Sequence, residues 1–161
     1  MKKISIILLA VVMAVLTSCN STGNSISDAS ASDVASSVKE GVTFVDDMLE
    51  VKNEIAADFY SLPDNVTDLK VFMSSSGATA EELAVFKCDD EATVKAVIKA
   101  CEKRIEDLNE KFEDYIPGEL IKIENAVIEE RDGFVMFICA DVDHYDSAKE
   151  SFEDYRYYKA D

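Results

Sequence analysis

Residues 126–140 read AVIEERDGFVMFICA, and this stretch decides the fold. Its centre is Asp132-Gly133, a pair that supplies the positive φ angles of a type I′ turn between antiparallel strands. The segment after the turn, Phe134 to Ala140, is apolar at every position, which is typical of a strand covered on both faces or of a strand in an interface. The stretch therefore predicts a hairpin whose second strand is central and covered on both faces, or forms part of an interface.

A second hairpin is predicted closer to the N-terminus. Leu69 to Met73 is apolar-rich and favours a strand, and Leu83 to Phe86 favours the strand that returns. Between them, residues 74–77 read SSSG and predict a loop, because serine and glycine are common in turns. The loop lacks a Gly-x-Ser-x-Gly frame, so its serines do not match a catalytic nucleophile elbow.

A long amphipathic helix over residues 91–112 connects the two hairpins. Its apolar side chains recur at spacings of three and four, which places them on one face of a helix. They are Val94, Val97, Ile98, Cys101, Ile105, Leu108 and Phe112. Asp89 or Asp90 can cap the start of the helix. The residues that we expect to be buried against the sheet are Val94, Ile98, Cys101, Ile105 and Leu108.

Two short helices are predicted before the first hairpin. The first covers Asp33 to Glu40 and is capped by Asp33 itself or by the serine before it. The second is indicated by the spacing of Ile55 and Phe59 and ends before Pro63, because a residue that precedes proline disfavours the helical conformation. The pattern assigns no element to the small apolar patch in residues 44–49.

Further short helices follow the long one. Pro117 suits the first turn of a helix that extends to Glu124. A closing helix is predicted from Asp143 to Tyr155. Its inward residues are Tyr145, Ala148, Phe152 and Tyr155. Hairpins separated by a long helix predict an α+β fold, with an antiparallel sheet built from two β-hairpins and with the long helix and flanking helices packed on it.

The N-terminus carries a targeting segment. Lys2 and Lys3 form a basic start, and an almost unbroken apolar run from Ile4 to Leu16 is too short to span a membrane comfortably. Residues 16–19, LTSC, resemble a lipobox, the signal of bacterial lipoproteins. The resemblance implies a diacylglyceryl thioether on Cys19 and cleavage before it. The alternatives are an ordinary secretory signal with a chance cysteine and an uncleaved anchor helix.

The chain then divides into three parts. Residues 1–18 are the predicted lipoprotein signal peptide, and residues 19–32 are the lipidated N-terminus and a flexible tether rich in serine and other small or polar residues. Residues 33–161 form the single α+β domain. The predicted location is the extracytoplasmic face of the cell membrane, with the lipid on Cys19 in the bilayer.

The charge of the chain limits its partners. The whole chain has 16 basic and 33 acidic residues and a formal charge of −17. Removal of residues 1–18 removes two lysines and no acid, so the mature chain has 14 basic residues and a formal charge of −19. This charge argues against nucleic acid as a partner, because nucleic-acid affinity comes largely from neutralised phosphates. It favours solubility or a cationic partner.

The sequence offers few residues for chemistry. Its single histidine, His144, lies among aspartates at 141, 143 and 146, but this segment lacks the glycine and glutamate of a calcium loop and the further ligands of a zinc site. We interpret Asp143 as a helix cap and Asp146 as a charge at the positive end of that helix. No catalytic, cofactor-binding or metal-binding residue is predicted.

Three cysteines remain in the predicted domain, Cys88, Cys101 and Cys139. Cys101 lies on the apolar face of the helix and Cys139 in an apolar strand, so both are interpreted as small buried hydrophobic residues. Because three is an odd number, at least one thiol has no partner within the chain, and the sequence leaves open whether any two form a disulfide. A dyad of Cys139 and His144 is conceivable, but nothing in the sequence orients it.

The span from about residue 33 to residue 155 also carries short motifs in a characteristic order. They are ADFY (57–60), AEELAVFK (80–87), KRIE (103–106), YIPGE (115–119), IENAVI (123–128) and GFV (133–135). The set resembles a family of small bacterial lipoproteins catalogued as domain of unknown function 4358. The resemblance implies a shared fold and location and brings no established activity, substrate or catalytic residue.

Two hypotheses for function follow. The first is a non-catalytic binding or accessory module at the cell envelope, with an envelope protein or glycan as partner. Its binding surface is predicted from Tyr155, Tyr157 and Tyr158 together with one face of the strand FVMFICA. The alternative is an envelope hydrolase that uses paired carboxylates, which requires two acids in a cleft with separated pKa values.

Overall fold

Both predicted hairpins lie in a single antiparallel sheet, which confirms the α+β prediction. The structure is a computed structural model and describes residues 29–63, 65–66 and 68–155. The described residues form five strands in the spatial order β1-β2-β3-β5-β4, with every neighbouring pair antiparallel. The strands are β1 Met48–Val51, β2 Asp68–Ser74, β3 Glu82–Lys87, β4 Val127–Arg131 and β5 Phe134–Cys139. The helices are α1 Ala31–Gly41, α2 Asn53–Tyr60, α3 Glu91–Phe112, α4 Leu120–Glu124 and α5 Tyr145–Asp154.

The turn between β4 and β5 has the predicted geometry. Asp132 has a φ of 50° and Gly133 a φ of 84°, as a type I′ turn requires at both central residues. A Cβ atom on Gly133 would lie only 2.9 Å from the carbonyl oxygen of Cys88. The backbone N–H of Cys88 donates to the carbonyl of Gly133 at 2.7 Å, so this close approach ties the turn to the end of β3.

Helices cover both faces of the sheet. On the α1 face, α1 and α5 pack over side chains such as Leu83, Val85 and Met136. On the α3 face, helices α2, α3 and α4 pack over alternate residues such as Phe86 and Phe137. All six residues of β5 are buried, which confirms that this strand is covered on both faces.

Helix α3 has the predicted bounds, but its buried face is rotated. Asp90 caps it, with its carboxylate accepting from the N–H of Thr93 at 2.7 Å. Its buried residues are Thr93, Val97, Cys101, Leu108 and Phe112. Cys101 and Leu108 were expected to be buried, and the same expectation for Val94, Ile98 and Ile105 is wrong because these three are only partly buried.

The rotation has a polar cause. At about 100° per residue, the centre of the buried face lies near Val97 and Leu108, which is shifted from the centre of the apolar stripe toward Thr93 and Arg104. The amide of Asn65 donates to Thr93 Oγ1 at 2.5 Å, and Arg104 binds Glu82 on β3. Because Thr93 and Arg104 have hydrogen-bond partners inside the domain, the side of α3 that carries them can turn inward. The positions of the apolar residues alone therefore misplace the buried face of the helix.

The two N-terminal helices also differ from prediction. Helix α1 is capped by Ser30 through a reciprocal pair of hydrogen bonds with Asp33, so it begins two residues earlier than predicted. In α2 the buried residues are Ala56 and Tyr60. The predicted helix is present, but Ile55 and Phe59, whose spacing indicated it, are 47% and 45% exposed.

The predicted C-terminal helices are present, although α5 begins at Tyr145 and not at Asp143. Pro117 lies in the first turn of a 3₁₀ segment, Pro117–Glu119, that leads into α4. Another 3₁₀ turn, Val142–His144, precedes α5. The predicted inward residues of the closing helix, Tyr145, Ala148, Phe152 and Tyr155, are all buried. Among the described residues, none of the helices combines the length and the apolar character needed to cross a membrane.

Candidate functional site

Charged side chains are concentrated at one end of the sheet, where β3 begins and β2 and β5 end. Glu81 and Glu82 stand there side by side, and each is only 2% exposed. Because successive side chains of an extended segment point to opposite sides, the two carboxylates enter different surroundings. A buried carboxylate is costly unless it is paired and hydrogen-bonded, so the partners of each one determine what it can do.

Glu82 is held by Arg104 and Tyr60 on the α3 face, and we call these three residues the Glu82 cluster. Arg104 donates from Nη2 to Oε2 at 2.8 Å and from Nε to Oε1 at 3.1 Å. The hydroxyl of Tyr60 donates to Oε1 at 2.5 Å. The guanidinium also lies 5.3 Å from the centre of the Phe59 ring, a distance suited to a cation–π contact.

The electrostatics of the Glu82 cluster favour a fixed charge pair. Burial, reinforced by the charge of Glu82, holds the pKa of Tyr60 well above its usual value. Burial alone would lower the pKa of Arg104, but the charge and hydrogen bonds of Glu82 raise it overall. The tyrosine therefore stays protonated and the arginine stays charged at neutral pH, so both remain donors to Glu82.

Glu81 belongs to a second group, the Glu81 cluster, with Lys122, Glu119 and Asp141. The ammonium of Lys122 lies 3.2 Å from Glu119, 3.4 Å from Asp141 and 3.9 Å from Glu81. Glu81 also accepts from the backbone N–H groups of Val45 and Asp46 at 2.8 and 2.9 Å, and it accepts from the Thr79 hydroxyl at 3.0 Å. Both oxygens of Glu81 are thus used to hold the segment before β1.

The serine loop after β2 is organised by one aspartate. The carboxylate of Asp46 accepts from the hydroxyls of Ser74 and Ser76 at 2.6 Å each and from the backbone N–H of Ser76 at 2.9 Å. These bonds, the Ser74 hydroxyl first, hold the pKa of Asp46 well below its usual range. The loop predicted from SSSG is present, and its serines serve as donors to a neighbouring carboxylate.

The aspartates around His144 form an ion pair or lie in the turn and helix that follow β5. Asp141 binds Lys122 at 3.4 Å, and Asp146 lies in the first turn of α5 as predicted. The prediction that Asp143 caps the closing helix is wrong, because Asp143 lies inside the 3₁₀ turn and the cap position of α5 is His144, which makes no side-chain capping bond. The turn itself replaces the cap, since its backbone leads directly into the helix.

The three cysteines of the described residues are buried free thiols, and none forms a disulfide with another. Burial raises the pKa of Cys88 to about 11 and those of Cys101 and Cys139 further. A thiol must ionise to act as a nucleophile. The arrangement agrees with the interpretation of Cys101 and Cys139 as small buried hydrophobic residues.

The binding surface predicted from the C-terminus does not form as expected. The FVMFICA strand is buried on both faces and Tyr155 is buried as well, so neither offers a surface to a partner. The strand is interior because β3 and β4 flank it and helices cover it above and below. Tyr157, Tyr158 and the predicted lipidation site Cys19 lie outside the described residues.

Exposed apolar side chains occur instead around β1 and α2. Leu49 on β1 is 58% exposed, and Ile55 and Phe59 lie one turn apart on the outer side of α2. Their spacing of four was visible in the sequence. That spacing indicated the helix but not which side of it is buried, because the small Ala56 and the polar Tyr60 occupy the buried positions.

Two of the depressions in the surface differ in their linings. One of about 360 Å³ lies between the end of β3 and the β4–β5 turn, and another of about 80 Å³ lies beside the Glu82 cluster. The acids that line the larger one are Asp89, Asp90, Glu91, Glu130 and Asp132. Within the described residues, no group of three or more histidine, cysteine, aspartate or glutamate side chains is placed to hold a metal ion.

Fold and site together define an α+β domain whose buried charges are paired internally at one end of its sheet. The family model described as "Domain of unknown function (DUF4358)" matches residues 42–140, a span that runs from the end of α1 to the end of β5. The chain belongs to this family. No curated protein matches the chain, and no solved structure matches it.

Proposed function

We propose that this chain is a lipoprotein of the bacterial cell envelope, anchored by lipid on Cys19, and that its domain is a non-catalytic binding or accessory module. The observation that carries the binding role is a contrast between two sets of side chains. Glu81 and Glu82, the buried acids best placed for chemistry, have their oxygens occupied by internal donors. Leu49, Ile55 and Phe59 are exposed.

The anchor is supported by the order of features at the N-terminus. Two lysines, an apolar run and LTSC follow one another directly, and residues 20–28, which precede the described domain, contain no large apolar side chain except Ile26. A diacyl anchor holds a protein stably on a membrane, whereas a single acyl chain binds only marginally. A tether of about ten such residues would hold the domain within roughly 20 Å of the bilayer surface.

The binding role is supported by which side chains remain accessible to a partner molecule. A general acid or base must reach a substrate proton, and Glu82 is enclosed by Arg104 and Tyr60. A binding surface needs an apolar patch with a polar rim, which the surroundings of Leu49 and Phe59 provide. A hydrolase with paired carboxylates is therefore the less supported alternative, and it is an outcome of the test below.

The anchor is tested by replacement of one cysteine at a time. Intact mass of the protein extracted from membranes is expected to correspond to a chain that begins at Cys19 and carries acyl groups. Cys19→Ala is expected to leave the membrane fraction, while the matched control Cys88→Ser is expected to remain there. A Cys19→Ala protein that still carried lipid would contradict the anchor.

The non-catalytic role is tested with the purified protein on peptidoglycan fragments, glycans, peptides and esters. We expect no turnover, and crosslinking in the native membrane is expected to give a discrete adduct with an envelope protein or glycan. Turnover that disappears when a single acid is replaced, with the unfolding midpoint unchanged, would establish the hydrolase instead.

A further inference from the structure

The start of the folded domain is held by a pair of charged side chains. Asp68 at the beginning of β2 and Lys87 at the end of β3 are register partners on neighbouring strands. The ammonium of Lys87 donates to the carbonyl of Ala29 at 2.8 Å, and the carboxylate of Asp68 accepts from the backbone N–H of Ala31 at 3.1 Å. The two bonds lie on either side of Ser30, the cap of α1. We call Asp68 and Lys87 the clasp.

Helix α1 itself is attached to the sheet by small side chains. Its buried residues are alanines and valines, namely Ala31, Val34, Ala35 and Val38. The helices α3 and α5 each bury a phenylalanine, Phe112 and Phe152 respectively. Because the stabilisation from burial grows with the apolar area removed from water, the side chains of α1 contribute less to its attachment than those of α3 or α5 do. The hydrogen bonds of the clasp are therefore a large part of what holds α1 in place.

The position of α1 in the chain allows it to detach without breaking the sheet. The span matched by the family model begins at residue 42, so it contains the five described strands and leaves α1 out. After α1, the carboxylate of Glu81 accepts from the backbone N–H groups of Val45 and Asp46, which fixes the chain before β1. A release that begins at Ala29 can therefore end before Val45.

From this arrangement we infer that α1 is a releasable strap, which detaches as a unit while the sheet stays folded, and that the clasp controls how often it does so. Weakly packed terminal elements open with less free energy than the whole domain requires. Release uncovers Leu83 and Val85 of β3, against which α1 packs, so the closed form dominates and the open form is a minor population.

The strap lies between the predicted tether and the sheet, so its release lengthens the tether. Residues 20–28 are nine residues, and residues 20–44 are 25 residues. The average reach of a flexible chain grows with the square root of its length, so release increases the reach about 1.7-fold. This consequence at the membrane rests on the proposed lipid anchor, whereas the opening of α1 does not.

The first test is amide hydrogen exchange on the protein purified from membranes in detergent. We expect the amides of α1 to exchange together and faster than those of β5. Leu108→Ala weakens the α3 face, which stays intact when α1 opens. It is therefore expected to accelerate exchange in β5 and to leave exchange in α1 unchanged. If α1 opened only when the whole domain unfolds, Leu108→Ala would accelerate exchange in both elements equally.

The clasp is tested by removal of one charge at a time. Asp68→Ala and Lys87→Met each remove a hydrogen bond between a charged group and the backbone of the strap, so we expect exchange in α1 to accelerate roughly tenfold or more. Asp89→Ala and Lys95→Met are the matched controls, because both residues are exposed, and they are expected to leave exchange in α1 unchanged. Unfolding midpoints check that each variant is folded, and the comparison of α1 with β5 in the unmodified protein needs no variant.

The second test measures release of the strap in membranes. Lys39 on α1 is the first basic residue after Cys19, and trypsin can cleave after it only when α1 opens. Mass spectrometry is expected to find a lipid-linked fragment of residues 19–39, and its initial rate of formation should rise in Asp68→Ala and Lys87→Met but not in Leu108→Ala. Lys39→Gln is expected to abolish this fragment, while a fragment that ends at the exposed Lys52 reports a separate cleavage.

Three outcomes of the exchange measurements would overturn the inference. They are equal exchange rates in α1 and β5 of the unmodified protein, equal acceleration of both elements by Leu108→Ala, and unchanged exchange of α1 in both clasp variants. If the lipid anchor were absent, only the lipid-linked fragment would be lost, and the exchange measurements in detergent would be unaffected. If the strap did not open, the lipid on Cys19 would still be found, so the two proposals fail separately.

Discussion

Arg104 of α3 binds both carboxylate oxygens of Glu82 on β3, with Nη2 2.8 Å from Oε2 and Nε 3.1 Å from Oε1. The pair joins the long helix to the first residue of a central strand, and little of either side chain reaches solvent. It also fixes the inward side of α3. The same guanidinium lies 5.3 Å from the centre of the Phe59 ring, so one ion pair connects the core to an exposed aromatic side chain.

Loss of Arg104 is expected to be costly. Arg104→Met leaves the carboxylate of Glu82 buried with only Tyr60 as a donor, and an uncompensated buried charge destabilises a protein by about 3–5 kcal/mol. Chemical denaturation should report this loss in the free energy of unfolding. The double variant Glu82→Gln with Arg104→Met is expected to lose less than Arg104→Met alone, because the buried charge is then absent. If the double variant lost as much free energy of unfolding as the two single variants together, the result would contradict the pairing.

The ion pair between Arg104 and Glu82 could not be predicted from the sequence. The hairpins and α3 followed from local signals, namely the Asp132-Gly133 turn and the apolar spacing of residues 91–112. The partnership of Glu82 and Arg104 joins residues that are 22 positions apart, and no local pattern marks it. A charged residue in an amphipathic helix is assigned to the solvent side by default, and only the three-dimensional arrangement reveals that Arg104 turns inward.

The exposure of Ile55 and Phe59 could not be predicted for a related reason. Ile55 and Phe59 have the spacing of a buried helical face, but the smaller Ala56 and the amphipathic Tyr60 occupy the interior. Tyr60 is buried because its hydroxyl has a partner in Glu82, and that partner is again distant in sequence. The strand β1 was missed because four residues with one exposed apolar side chain carry too short an alternation to predict a strand.

The rotation of α3 gives a comparison between two leucine-sized residues on one helix. Leu108 is buried and Ile105 is only partly buried. Leu108→Ala is expected to lower the free energy of unfolding by about 2–5 kcal/mol because it creates a cavity. Ile105→Ala is expected to cost about 1 kcal/mol, in proportion to its smaller buried area. Equal losses of unfolding free energy in urea titrations of the two variants would show that Ile105 is buried, as the sequence pattern predicted.

The stabilising effect of the hydrogen bonds in the serine loop is expected to depend on pH through Asp46. Hydrogen bonds from Ser74 and Ser76 lower the pKa of Asp46 in the folded state, so its stabilising effect is fully present above the ordinary aspartate pKa of about 4. The effect is lost as the pH falls from there through the lowered value. Asp46→Asn should therefore have a lower thermal midpoint than the unmodified protein at pH 7, with the difference shrinking below about pH 4. Asp47→Asn, at an exposed neighbouring position, is the matched control and should change little at either pH.

Alkylation of the cysteines tests both the burial of the domain thiols and the proposed lipid on Cys19. Burial raises the pKa of Cys88 to about 11, so the stability that its neutral form contributes is present below the ordinary thiol pKa of about 8.5 and is lost as the pH rises through the higher value. At pH 8 the folded protein is expected to resist alkylation by iodoacetamide, since the thiolate is the reactive form. Unfolded protein from membranes should then expose Cys88, Cys101 and Cys139, three thiols, because the sulfur of Cys19 is expected to be a thioether. A fourth reactive thiol in the membrane form would contradict lipidation, and rapid reaction of Cys88 in the folded form would contradict its burial.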